Sequence, residues 1–453
     1  MAKQTQPMTI RGLALQLIEQ THKQKAYSPL LLNQTIEKHQ IEGRDAALLT
    51  QLVYGVLQRD LTLDFYLKGF VKPNQKIEDW VRYLLFLSIY QLVYLDRIPD
   101  HAIVSEAVNL AKKRGHKGIA GFVNGVLRNV IRRGVPSYES LPLPERLSVQ
   151  YSHPLWLVER WMDHFGTEKA EAILAANNEP ASVSVRVNPL KTTREEVMTR
   201  LIQDGMEVGL GSLSPDALII KKGKVVNHPV FKQGLISIQD ESSMLVGRAL
   251  DVQPGMLVLD ACAGPGGKTA HLAELMKDEG TIHALDLHKH KTSLIMDQAN
   301  RLGLHSIHTT ALDARSASDH FPEASFDRVL IDAPCTGFGV IRRKPEIKYT
   351  KSENDISQIS AIQAAILSSC ASLVKPGGKL VYSTCTIDRE ENSRQVEAFL
   401  AEHPEFDWDD TLADRLATVK EANEEALRNG WIQLLPSDSE GDGFFISCLV
   451  RKA

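Results

Sequence analysis

Two cysteines stand just past apolar runs that read as strands. Cys335 follows "FDRVLIDAP" and Cys385 ends "GGKLVYSTC". A cysteine is most often an inert core residue. Cys370 and Cys448, inside a helix-like and a strand-like run, suit that reading. Cys335 and Cys385 lie where a strand gives way to a loop, and such loops carry chemistry. A third stretch, "LDACAGPGGKT", also leaves an apolar run and opens a helix. Its glycines let a ligand come close to the backbone.

Three ligands compete for that loop. A P-loop needs glycine five residues before Gly267, and the chain has Cys262 there. A dinucleotide fingerprint starting at Gly264 needs glycine at 269, and the residue is Thr269. S-adenosylmethionine has no phosphate to cradle. Acids support it: Asp286 ends the second strand, where a carboxylate can take both ribose hydroxyls. Asp313 ends the third strand, placed to meet an adenine amino group, and Asp332 ends the fourth. A sulfonium cation tolerates acids that would repel a pyrophosphate. The competing reading of each aspartate is a helix cap.

A thiol beside such a methyl donor has a specific use. Amines and hydroxyls already carry a lone pair, but carbon 5 of a pyrimidine is a poor nucleophile. A thiolate adding to carbon 6 turns carbon 5 into an enamine carbon that can attack a methyl group. An ordinary thiol titrates near ~8.5, so the site must activate it. Asp332 can assist by hydrogen-bonding the cytosine N3 and amino edge. The second cysteine can help remove the carbon-5 proton or release the adduct. The target base must leave its stack, so a flipped or single-stranded cytosine is expected.

These residues need a scaffold. From about residue 236 strand-like and helix-like runs alternate, which predicts a doubly wound sheet with ligands at its carboxyl edge. In a sheet of that order the fourth and fifth strands are neighbours, so Cys335 and Cys385 should meet. "WIQLLP" and "GDGFFISCLVR" predict a closing hairpin, and the acidic stretch from Asp407 to Glu425 reads as a surface insertion. Residues 1–140 read as all-helical, with "YLLFLSIYQLVYL" as a buried helix. The Pro/Ser-rich "VPSYESLPLPERL" is a joint. Residues 146–235 then read as a small α+β module. The expected domains are therefore 1–140, 146–235 and 236–453, about what 453 residues should hold.

Bulk composition narrows the setting. The five cysteines form no C-x-x-C pair, which argues against a disulfide framework or a structural zinc and for a reducing cytoplasm. The longest apolar stretch is too short for a membrane span, and the N-terminus shows no secretory signal. The net charge of −4 hides an asymmetry: residues 1–150 carry 20 Lys and Arg against 13 Asp and Glu. Lys112 to Arg133 holds seven basic residues and no acid. This suggests a polyanionic partner, with a solvated helix face as the alternative. "IRRKPEIK", with Arg342, Arg343, Lys344 and Lys348, is a candidate phosphate-contact loop. "SVRVNPLK", with Arg186 and Lys191, is a weaker one.

The motifs "DACAGPGGKT", "DAPCTGFGVIRRKPEIK", "GGKLVYSTCTIDREEN" and "FVNGVLRN" together resemble the bacterial ribosomal RNA cytosine-5 methyltransferases called Fmu, Sun or RsmB. The resemblance covers nearly the whole chain. Its helical first part looks like the RNA-binding domain of the NusB antitermination factor. The resemblance implies a Rossmann-like, S-adenosylmethionine-dependent catalytic domain acting on one cytosine of small-subunit (16S) rRNA. It implies Cys385 as nucleophile and Cys335 as an aid to product release. It implies a methionine pocket from Cys262, Ala263, Gly264, Pro265, Gly266, Gly267 and Lys268, completed by Asp286, Asp313 and Asp332. Gly264 stands where alanine is usual, which is sterically harmless. Thr336, Phe338 and Thr386 also depart from the commoner residues, and Phe338 bears on how the base stacks. No metal is expected, and the chain is expected to act as a monomer. The same chemistry on another RNA, or an inactive assembly factor, are the competing functions. Amino-group methylation is disfavoured, because "DAPC" stands where such enzymes carry an Asn/Asp-Pro-Pro-aromatic tetrad.

Overall fold

A computed structural model describes residues 8–24, 28–422, 427–428 and 430–453. They form two compact units. The first comprises residues 1–179 and 341–351, the second 180–340 and 352–453.

The first unit is helical: α1 (Ile10–Gln24), α2 (Ser28–Lys38), α3 (Gly43–Gln58), α4 (Asp60–Lys68), α5 (Asp79–Tyr94), α6 (Asp100–Arg114), α7 (Lys117–Arg133), α8 (Leu143–Tyr151), α9 (Leu155–Phe165) and α10 (Thr167–Ala176). As its apolar run predicts, α5 is buried on nearly every side, from Trp80 to Gln91. The buried Gln91 is satisfied by Leu87 O at 2.8 Å and Arg11 Nε at 2.7 Å. α7 stops at Gly134, whose φ of +70° suits glycine. The run "DAALLTQLVYGVLQRDLTLDFYL" breaks at Arg59, where Ser152 Oγ accepts the free N–H of Leu61 at 2.9 Å.

The second unit opens with β1 (Val183–Val187), α11 (Arg194–Gln203), β2 (Glu207–Leu210), β3 (Ala217–Lys222), α12 (Pro229–Lys232) and β4 (Ile236–Ile238). Their antiparallel sheet has the order β2-β3-β1-β4. The division between units falls at Glu179, inside the 146–235 module read from sequence. Helices α9 and α10 count with the first unit and all four strands with the second.

There follow α13 (Glu241–Leu250), β5 (Leu257–Asp260), α14 (Gly267–Leu275), β6 (Thr281–Asp286), α15 (Lys289–Leu302), β7 (Ile307–Ala311) and β8 (Phe326–Asp332). The turn α16 (Ile347–Thr350) belongs to the first unit. Then come α17 (Glu353–Ala371), β9 (Val374–Thr384), α18 (Ser393–Glu402), β10 (Phe406–Trp408), α19 (Leu412–Arg415), α20 (Ala417–Ala422), β11 (Leu427–Arg428), β12 (Trp431–Leu434) and β13 (Phe444–Arg451). The sheet order is β11-β12-β13-β9-β8-β5-β6-β7, with β10 on β13. Strands β5 to β9 run parallel and β13 is antiparallel to β9. Alternate residues feed two cores, Val258 and Ile282 on one face, Leu259 and Leu285 on the other. From β5 the chain builds outward through β6 and β7, then returns to lay β8 on the other side of β5. That reversal opens a crevice at the carboxyl ends of β5 and β8.

Residues 407–422 are not a surface insertion. Leu412, Leu416 and Val419 are buried in the core under the sheet, and Asp409 bonds Arg415 at 2.7 Å and Lys379 at 3.0 Å. Residues 423–425 of that stretch lie outside the described residues. Among the described residues, no helix is long and apolar enough to cross a membrane, and no group of three or more His, Cys, Asp or Glu is placed to hold a metal ion.

Candidate active site

The crevice is built from the loop between β5 and α14. Gly266 precedes the helix with φ +105°, a conformation few other residues adopt. Asp260 ends β5 fully buried. Its Oδ2 accepts from Thr269 Oγ1 at 2.7 Å, while Oδ1 has no partner. Burial pushes this carboxyl up to about 7. Asp286 accepts from Gly264 N at 3.2 Å and from His288 N at 2.8 Å, with Lys291 Nζ at 3.5 Å. A Cβ at Gly264 would run into this carboxylate, so the bare glycine permits the contact. Asp313 lies two residues past β7. It caps the 3-10 turn Ala314–Asp319 and pairs with Arg315 at 2.6 Å.

These features fit S-adenosylmethionine. The orphaned oxygen of Asp260 and the carboxylates of Asp286 and Asp332 suit a cation with amino and hydroxyl donors. A Cβ placed on Gly267 would meet nothing within 4 Å, so the loop has an open side.

Strands β8 and β9 pair in register, Asp332 opposite Ser383. Asp332 accepts from Ser383 Oγ at 2.9 Å and from Lys268 Nζ at 2.8 Å. Burial lowers the Lys268 pKa, but the Asp332 carboxylate outweighs it and holds that pKa above the usual lysine value. The Lys268 ammonium also sits 5.0 Å from the centre of the Phe444 ring. Lys268 thus spans from the cofactor loop to the ends of β8 and β9.

Beyond those ends the two half-buried cysteines meet, with Cys335 Sγ 3.3 Å from Cys385 Sγ. The hydrogen bond to Cys385, then burial, pushes the Cys335 thiol well above its ordinary value. Either sulfur can donate its proton to the other across this contact. Burial also pushes Cys370 and Cys448 up to about 12, as inert core thiols require. Cys262 is likewise pushed up by burial.

The surrounding network uses residues that sequence reasoning passed over. Thr336 N and Oγ1 both donate to Glu391, at 2.9 and 2.5 Å. Gln363 Nε2 donates to Pro334 O at 2.9 Å and to Glu391 at 3.1 Å. Thr336 and Thr386 join hydroxyls at 2.9 Å. Asn392 accepts from Thr384 Oγ1 at 2.6 Å and donates to Thr386 O at 3.0 Å. The run "TIDREEN" carries these residues just ahead of α18, which begins only at Ser393.

Several basic candidates are corrected. Arg186 is buried and spends its guanidinium on Glu274, Gln239 and Gly267 O, leaving none for a phosphate. Arg342 is buried, with Nε on Ala176 O at 2.9 Å. Lys348 is fully buried and donates to Gln58 O at 2.8 Å and Asn178 Oδ1 at 3.2 Å. Arg343 and Lys344 are half-buried in the first unit, and Lys191 is exposed in the second. Phe338 is fully buried, so its ring is not a stacking surface for a base.

Fold and site together define an S-adenosylmethionine-dependent RNA methyltransferase. Residues 248–450 match the family model described as 16S rRNA methyltransferase RsmB/F. Residues 8–132 match the NusB family, and residues 153–227 match the ferredoxin-like domain of RsmF/B-like methyltransferases. The chain is 49% identical over 98% of its length to the "Probable ribosomal RNA small subunit methyltransferase B" of Bacillus subtilis strain 168, covering 99% of that protein. It is 34% identical to the "Ribosomal RNA small subunit methyltransferase B" of Escherichia coli O6:K15:H31, over 98% of this chain and 99% of that one. The solved structure of PH0851 matches with a TM-score of 0.81 and 29% identity, over 98% of this chain and 100% of that chain. The chain belongs to the RsmB/F family of 16S ribosomal RNA methyltransferases.

Proposed function

We propose that this enzyme methylates carbon 5 of one cytosine in small-subunit ribosomal RNA, through a transient bond between Cys385 and carbon 6. The observation that carries this is the pair of sulfurs 3.3 Å apart, with Asp332 and Lys268 on the cofactor side. S-adenosylmethionine, held by Cys262 to Lys268 with Asp286, Asp313 and Asp332, supplies an electrophilic methyl group to carbon 5.

In this mechanism Cys335 donates across the 3.3 Å contact to Cys385, which leaves Cys385 as the thiolate. Cys385 attacks carbon 6, and the ring electrons move to carbon 5. Asp332 accepts from the cytosine amino group with lone pairs that Lys268 and Ser383 leave unused. After methylation the carbon-5 proton goes to a base. The bond from sulfur to carbon 6 then opens, the ring double bond returns, and Cys385 leaves as thiolate. Cys335 serves this release. Lys191, Arg343 and Lys344 are retained as phosphate contacts. Cofactor loop and both cysteines come from one chain, so a monomer suffices. Five unpaired thiols suit a reducing cytoplasm.

The test is incubation of wild type, Cys385→Ala and Cys335→Ala with labelled S-adenosylmethionine and small-subunit RNA, followed by denaturing electrophoresis. Cys335→Ala should accumulate a covalent protein–RNA band, and Cys385→Ala should show neither band nor methylation. A band with Cys385→Ala alone would exchange the two roles. Absence of a band in every variant would sink the covalent route.

A further inference from the structure

We propose that the adjacent residues Glu391 and Asn392 are a positioning pair, each bonded, directly or through Gln363, to the residues before and after one cysteine and so fixing the gap between the sulfurs. The inference rests on the two-cysteine reading above and goes beyond it to the side chains that make the pair work.

The geometry divides the labour residue by residue. Glu391 Oε2 accepts from Thr336 N, the residue after Cys335, and from Gln363 Nε2, which also donates to the carbonyl of Pro334, the residue before it. Asn392 bonds the Thr384 hydroxyl and the Thr386 carbonyl, the residues before and after Cys385. The Thr336–Thr386 hydroxyl bond closes the frame between the two loops. Tyr382 Oη bonds Glu391 O at 2.6 Å, which ties the pair to β9. Glu391, Asn392, Gln363 and the three threonines are all buried. A buried carboxylate is costly unless it is fully bonded. Here its acceptors meet three donors, and those donors belong to the frame around Cys335. A side chain kept only for stability needs no such address.

Near-isosteric substitutions in the full chain test this. Glu391→Gln replaces one acceptor oxygen with a donor facing Thr336 or Gln363. Asn392→Asp replaces the donor facing Thr386 O with an acceptor. The first readout needs no RNA: oxidation by the diazene diamide, which takes two hydrogens from the thiols as they join. The product is about 2 Da lighter and carries a Cys335–Cys385 cross-linked peptide. Both variants should form it about tenfold more slowly, because disulfide closure demands a narrow geometry. They should also lose kcat by about 10- to 100-fold while KM for S-adenosylmethionine stays within about twofold. Disulfide rate and kcat both within about twofold of wild type would overturn the proposal, as would a kcat loss that tracks lost folding or lost cofactor affinity. If Glu391→Gln does not fold, Thr336→Val deletes one hydroxyl of the frame, and a slowed or unchanged disulfide decides in the same way. Failure of the covalent mechanism shows separately, as a missing adduct in Cys335→Ala, and leaves the disulfide readout intact.

Discussion

Arg186 and Glu274 face each other through two hydrogen bonds of 2.8 and 3.0 Å, and neither side chain reaches solvent. Arg186 stands on β1 of the small sheet and Glu274 on α14, the helix that opens at the cofactor loop. The same guanidinium donates to Gly267 O at 2.9 Å. Breaking a buried pair leaves one charge unpaired, so Arg186→Met should cost about 3–5 kcal/mol. Replacing both partners with apolar residues should recover much of that loss. Denaturant midpoints of the two variants decide it, and a single substitution no worse than the double one would contradict the account.

Lys191 makes the opposite prediction. Its side chain is exposed, and Nζ donates to Gln233 O at 3.2 Å. As a phosphate contact, its loss should weaken binding to every RNA sequence alike. The slope of log affinity against log salt should become shallower by about 0.7 for single-stranded RNA. Filter binding of Lys191→Ala across a salt series measures this. Arg186→Met, measured beside it, should leave the slope unchanged.

Asp260 predicts a pH dependence of stability. Burial raises the folded carboxyl to about 7, against an ordinary value of 3.8. Between these values the folded chain holds a proton that the unfolded chain has released. The stability this group contributes is complete below the lower value and is lost as pH rises through the upper one. Asp260→Asn cannot titrate. Relative to that variant, wild type should therefore lose stability steadily from pH ~4 to pH ~7. Urea melts at several pH values supply the comparison, and a flat difference would show that Asp260 is ionised throughout.

The sequence made the two-cysteine site readable because strand order alone brings Cys335 to Cys385: each follows a parallel strand, and those strands are neighbours. The place of the glycine loop after β5 was readable for a similar reason, since its glycines and the strand-end acids Asp286 and Asp332 sit at fixed offsets. The frame around the thiols was not. Glu391 and Asn392 lie just ahead of α18, where acids and amides are common at any exposed helix start, and only packing turns them inward. Arginine and lysine misled for the converse reason. Residue type shows that a cation exists, but Arg186, Arg342 and Lys348 find carbonyls and carboxylates inside the protein, at distances in sequence that no local pattern reveals. The stretch after Asp407 looked acidic because its three core leucine and valine contacts are spaced between charges.

The helical unit is discontinuous in the chain, and this sets a timetable for its assembly. Residues 1–179 leave the ribosome first, while residues 341–351 follow about 170 positions later. At ~5–20 residues per second that is a wait on the order of ten to thirty seconds. Until then Gln58 O lacks the Lys348 Nζ that donates to it in the finished fold. The N-terminal helices can collapse early, but they reach their final packing only after β8 and the Cys335 loop have been synthesised. A chain truncated before residue 341 therefore yields a helical unit without its last piece, and native completion of the helical unit is timed by translation of the second unit.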